Sequence, residues 1–147
     1  MRTLLIAVGN PLRRDDGVAH MVLKGLGSIP NVDSRDLLQL TPEIAEDIAG
    51  YGTVIFIDSD TTAMNLLIES LNGLPSSPVF SHLLSPATVV QLSRVLYGFA
   101  GRALLCRIPV CDLSQGEGLS RRTNALVTRA LGRLENLLGD WDTKGRN

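Results

Sequence analysis

The sequence is short of cysteine and of net charge, and it has no long apolar run. Each shortage removes a class of protein. Two cysteines, Cys106 and Cys111, are too few for a disulfide framework. With four residues between them and no second pair, they do not form a zinc signature either. Both are expected to be reduced thiols on or near a strand. Net charge is −1 and no stretch is dense in Lys or Arg, so no basic face awaits a phosphate backbone and nucleic acid is not an expected partner. No segment approaches the ~20 apolar residues that span a bilayer. The apolar start at Leu4 meets Gly9 and Asn10 too soon for a signal-peptide core. The chain therefore reads as cytoplasmic, with no membrane partner.

Three loops of catalytic or cofactor proteins are also missing. There is no G-x-x-x-x-G-K-S/T phosphate loop and no G-x-S-x-G nucleophile elbow. The first glycine turn, AVGNPLRRDDG (Ala7 to Gly17), lacks G-x-G-x-x-G. It also sets Asp15 and Asp16 where a pyrophosphate would sit, which repels an anion and welcomes a cation.

What remains is an ordinary globular composition, with 44% hydrophobic and 20% charged residues over 147 residues. Such a length makes one domain, 1–147, that buries about 68–70% of its unfolded surface without staples. The end from about residue 140 is expected to fray. Thr3 to Val8 (TLLIAV) and Thr53 to Ile57 (TVIFI) are continuous apolar runs, the mark of strands covered on both faces. A weaker strand is expected over Val32 to Leu40, another at Arg102 to Ile108, and an uncertain one at Asn65 to Leu71. Helical spacing begins at Asp16 with Val18, Val22 and Leu26, and Asp15 or Asp16 is placed to cap it. Thr41-Pro42-Glu43 reads as N-cap, first-turn proline and first-turn acid. Ser85-Pro86 opens a further helix, Leu74 to Phe80 reads as irregular, and a long last helix starts near Ser120. Alternating strands and helices predict a three-layer α/β/α sandwich. Its mostly parallel, twisted sheet has about five strands, with one edge strand open to antiparallel pairing.

In such sheets ligands bind beyond the carboxyl ends of the strands. That rule selects Asn10, Asp15 and Asp16 after the first strand, Asp58 and Asp60 after TVIFI, and His82 in the loop before Ser85. Taken singly, Asp16 reads as a helix cap, Asp58 as a strand-end hydrogen-bonding group and His82 as a surface histidine. Together, two carboxylates and an imidazole make a plausible oxygen/nitrogen metal site. His20, four residues after Asp16, shares its helix face and is an alternative ligand.

VGNPLRRDDGVA (Val8 to Ala19) resembles the G-N-x-L-x-x-D-D/E signature of the hydrogenase-maturation endopeptidases. VIFIDSD (Val54 to Asp60), SHLLSP (Ser81 to Pro86), IPV (Ile108 to Val110) and GEGLS (Gly116 to Ser120) keep the family's order of elements. Ala19, where relatives often carry glycine, and the loop Leu38 to Glu43, which lacks a glycine-rich form, depart from the pattern. The resemblance implies a hydrolase that removes the C-terminal extension of a [NiFe]-hydrogenase large-subunit precursor; the chain is expected to be a monomer. It implies that Asp16, Asp58 and His82 recognise nickel supplied by that substrate, with no permanently bound cofactor, and that Asp16 or Asp58 serves as general base. Two acids at one site also predict that mutual repulsion raises one pKa. The alternative is a non-catalytic α/β metal-binding or interaction module of the same fold.

Overall fold

The computed structural model describes residues 2–72 and 84–145, with side chains through Gly139. In chain order the elements are β1 (Thr3–Val8), a 3₁₀ turn (Arg14–Gly17), α1 (Val18–Leu26), β2 (Val32–Leu37) and α2 (Glu43–Ile48). Then follow β3 (Thr53–Asp60), β4 (Leu67–Ser70), α3 (Pro86–Tyr97), β5 (Arg102–Pro109) and α4 (Arg121–Gly145). The strands form one sheet ordered β2-β1-β3-β5-β4, parallel throughout except for β4, which pairs antiparallel with β5 at an edge. This is the expected α/β sandwich, and the uncertain segment near residue 65 is its antiparallel edge strand.

Period-two alternation splits the apolar runs between two layers. Leu4, Ile6, Val54 and Phe56 face the side of α2 and α3, while Leu5, Ala7, Ile55 and Ile57 face α1 and α4. Both sets are buried, which is why the central strands read as unbroken apolar sequence. Helix α1 contributes Val18, Ala19, Val22 and Leu23, and α4 contributes Ala130, Leu134 and Leu138 from one stripe. Each fully buried large side chain stabilises the fold by about 1.5–3 kcal/mol. The outer strand β2 carries Asp33, Arg35 and Asp36 instead. Arg2 pairs with Asp33, and Arg35 pairs with Asp47 of α2 at 3.0 Å, so charge guards the open edge.

Several boundaries differ from the sequence reading. Neither Asp15 nor Asp16 caps α1. Both lie inside the 3₁₀ turn, and the helix starts after Gly17 with no side-chain cap bond. Pro42 already holds helical dihedrals just before α2, as expected of a first-turn proline, and the Ile44 N–H bonds to the Thr41 carbonyl. Strand β2 stops at Leu37, short of Leu40. Strand β3 runs past Asp58 to Asp60, since β5 continues beside it with Asp58 opposite Arg107 and Asp60 opposite Pro109. Helix α4 extends through Gly145. Ser85 does cap α3, accepting from the Thr88 N–H. The segment Leu74 to Phe80 lies outside the described residues. Both cysteines are free, Cys106 buried and Cys111 exposed. Among the described residues no helix is long and apolar enough to cross a membrane.

Candidate active site

At the carboxyl end of β1 the chain must turn sharply beneath the 3₁₀ turn. Gly9 makes this possible: its φ is +150°, and a Cβ there would lie 2.0 Å from the Asp16 carbonyl oxygen. No other residue fits so close an approach. The turn brings the Asn10 N–H to Asp16 Oδ2 at 2.8 Å. From β3, the Ser59 hydroxyl donates to Asp16 Oδ1 at 2.6 Å. Both oxygens of this partly buried carboxylate are thus oriented, and each keeps a lone pair for a further partner.

Asp58 stands one residue before Ser59 and opposite Val8 of β1. Its pKa is pushed up to about 7, chiefly by burial, with the Asp16 and Asp60 charges adding to the rise. The Ser59 N–H and Arg107 oppose it. The expected repulsion between acids is present, but it ranks below desolvation. Asp60, two residues on, goes the other way. The Thr62 hydroxyl, the Thr62 N–H and Arg107 hold it below the usual carboxylate range against its burial. Arg107 bridges Asp60 at 2.8 Å and Glu69 of β4 at 3.1 Å. A carboxyl that exchanges its proton near neutrality, beside an Asp60 carboxylate held ionised, is a pattern suited to acid–base chemistry.

Asp15 and Asp16 are neighbours with separate tasks. Asp15 is fully buried. Its Oδ1 accepts from the Ser120 N–H at 2.7 Å. Its Oδ2 accepts from the Ser120 hydroxyl at 2.9 Å, the Asp112 N–H at 2.9 Å and the Cys111 N–H at 3.2 Å. Burial would raise its pKa, but these hydrogen bonds prevail and hold it well below the ordinary value. Asp15 therefore ties the loop after β1 to the segment that enters α4. Backbone bonds from Arg14 to Gly116 and from Gly116 to Leu12 complete that tie.

His82 lies outside the described residues. Among the described residues, no three His, Cys, Asp or Glu side chains gather closely enough to hold a metal ion. His20 has other partners: Nδ1 is 2.6 Å from Asp36 Oδ1 and Nε2 is 2.7 Å from the Gly9 carbonyl oxygen. With both ring nitrogens engaged, it offers no lone pair to a metal. It borders a concavity of about 660 Å³ between α1 and β2, lined also by Pro11, Met21, Lys24, Asp36 and Leu38. Sequence reasoning did not assign Ser59, Arg107 or Ser120. A charge near the carboxyl end of the apolar run RALLCRI was the available signal for Arg107. Ser120 with Thr123 three residues on was the signal for a cap.

No protein-family model matches the chain, and no curated protein matches it. Solved structures do. The hydrogenase maturating endopeptidase HybD from E. coli superposes with a TM-score of 0.78 at 22% identity, over 95% of this chain and 93% of that one. The hydrogenase 2 maturation peptidase from a Thaumarchaeota archaeon gives 0.68 at 22% identity, over 95% and 99%. The [NiFe] hydrogenase maturation protease HycI from Thermococcus kodakarensis KOD1 gives 0.67 at 21%, over 95% and 90%. With the sheet order, the acids at its carboxyl edge and these superpositions together, the chain has the α/β fold of the hydrogenase maturation endopeptidases, which its opening motif resembles.

Proposed function

We propose that the chain is an endopeptidase that removes the C-terminal extension of a [NiFe]-hydrogenase large-subunit precursor once nickel has been inserted. In this reading Asp16, Asp58 and His82 recognise the nickel held by the substrate, and the enzyme acts as a cytoplasmic monomer without a resident metal. The observation that carries it is the pairing of two unlike carboxyls at one strand-end site. Asp16 is oriented by Asn10 and Ser59. Asp58 is desolvated until its proton exchanges near pH 7.

The pair divides the labour. Asp16 keeps a fixed carboxylate for the cation. Asp58 in its ionised form takes a proton from a water that attacks the scissile carbonyl carbon. As the C–N bond breaks, that proton passes to the departing amine nitrogen. Neighbouring loops expose Leu12, Leu38 and Met64, apolar surface suited to a protein substrate.

The test is cleavage of purified precursor, nickel-loaded against metal-free. Wild type is expected to process only the loaded form. Asp58→Asn should lose about 10²–10⁴-fold in rate, and Asp16→Asn and His82→Ala should fail at recognition. Equal processing of metal-free precursor would sink the reading. Binding of the loaded precursor without any cleavage would favour the non-catalytic module instead.

A further inference from the structure

The hydrogen bonds of His20 extend further than its own packing. Asp36 Oδ1 lies 2.6 Å from Nδ1, and the Gly9 carbonyl oxygen lies 2.7 Å from Nε2. A carbonyl oxygen only accepts, so Nε2 is the donor to Gly9, and Asp36 holds the opposite edge of the ring. The Gly9 carbonyl and the Asn10 N–H are two ends of one peptide plane. That N–H donates to Asp16 Oδ2 at 2.8 Å. An unbroken chain therefore runs from Asp36 through His20 and the Gly9–Asn10 peptide to Asp16.

The chain has a direction. A hydrogen bond donated to the carbonyl oxygen draws density along the amide resonance and makes the N–H at the far end a stronger donor. The inner links are sheltered: the His20 side chain is 16% exposed, against 65% for Asp36. Gly9 is fixed on its other side by its own N–H to the Leu37 carbonyl, at 3.0 Å. The Gly9 backbone sits so close to the Asp16 carbonyl that the peptide has little room to rotate.

We propose that His20 is a positioning residue that orients the Asp16 carboxylate through the Gly9–Asn10 peptide, with Asp36 as its anchor. This rests on the reading of Asp16 as a cation-recognising group. It assigns to His20 a role behind the site, in place of a ligand role within it. Partners that hold a ligand from outside its first contacts typically change metal affinity by ~10–100-fold when removed.

The experiment uses full-length, ¹⁵N-labelled wild type, His20→Ala, His20→Gln and Asp36→Asn. It reads the Asn10 amide resonance, the thermal midpoint and the broadening of site resonances by Ni²⁺ alone. His20→Ala is expected to move the Asn10 amide proton upfield and to weaken Ni²⁺ binding about tenfold. His20→Gln, which can still donate to the Gly9 carbonyl but lacks the ring that Asp36 anchors, should restore part of both effects. Asp36→Asn keeps the ring in place and should give an intermediate amide shift, which serves if His20→Ala does not fold. An Asn10 amide and a Ni²⁺ affinity both unchanged in folded His20→Ala, or an unmoved amide in Asp36→Asn, overturn the proposal. If wild type binds no Ni²⁺ while the Asn10 amide still follows His20, the relay stands and the cation-recognition reading fails.

Discussion

Replacing Asp58 by asparagine removes an ionisable group from the site at almost constant shape, and the structure sets the size and sign of the result. In the folded chain the Asp58 pKa is raised from 3.8 to about 7. Over that window the folded state keeps a proton that the unfolded state has lost. The stability of wild type therefore falls as pH rises from 3.8 to about 7, and the penalty is complete above it. At 1.36 kcal/mol per pH unit the full penalty is roughly 4 kcal/mol. Asp58 is half-buried, and solvent screening trims this to about 2–4 kcal/mol. Asparagine mimics the neutral acid, so Asp58→Asn should be more stable than wild type by that amount at about pH 8 and indistinguishable near pH 3.5. For a domain of this size the gain at high pH corresponds to roughly 5–15 °C in Tm. Urea unfolding followed by circular dichroism across the pH range measures it. Equal stability at pH 8, or the same gain at both ends of the range, would refute the reasoning. A variant that is stabilised yet inactive would show that the fold tolerates a desolvated acid because the chemistry requires it.

Asp15→Ala should instead cost about 3–5 kcal/mol, because buried donors from Ser120, Asp112 and Cys111 lose their acceptor; unchanged urea midpoints would contradict the role given to Asp15. Its pKa is depressed on folding, so the stability Asp15 contributes is present above pH 3.8 and lost as pH falls below that. Gly9→Ala should abolish Ni²⁺ binding by displacing Asp16, since the added Cβ meets the Asp16 carbonyl oxygen at 2.0 Å; a variant with wild-type affinity would contradict that geometry. Thiol labelling of the native protein should modify Cys111 alone. Cys106 is buried in β5, and burial pushes its thiol up to about 12, against a smaller opposing effect of Arg133. Both cysteines should react in denaturant, and rapid native labelling of Cys106 would place β5 wrongly.

Local patterns determined much of this protein from sequence alone. The runs at β1 and β3 read as strands covered on both faces, and the helical stripes of α1 and α4 gave them their cover, so the α/β sandwich was legible. The rule that places ligands at strand carboxyl ends, together with the motif from Val8 to Ala19, singled out Asp16 and Asp58. The tertiary structure showed what Asp15 does beside Asp16. The two are chemically identical neighbours, and their roles diverge because Ser120, 105 residues away, meets one of them while Ser59 meets the other. The same holds for Arg107, which finds Asp60 through the β3–β5 register, and for His20, which finds the Gly9 carbonyl and Asp36 across α1 and β2. The raised pKa of Asp58 is of this kind too, since desolvation belongs to the packed layers and not to any window of sequence. Periodicity is written locally, because a helix or strand repeats within a few residues. Hydrogen-bond partners and burial depend on which strands lie side by side, and that is settled only when the sheet closes.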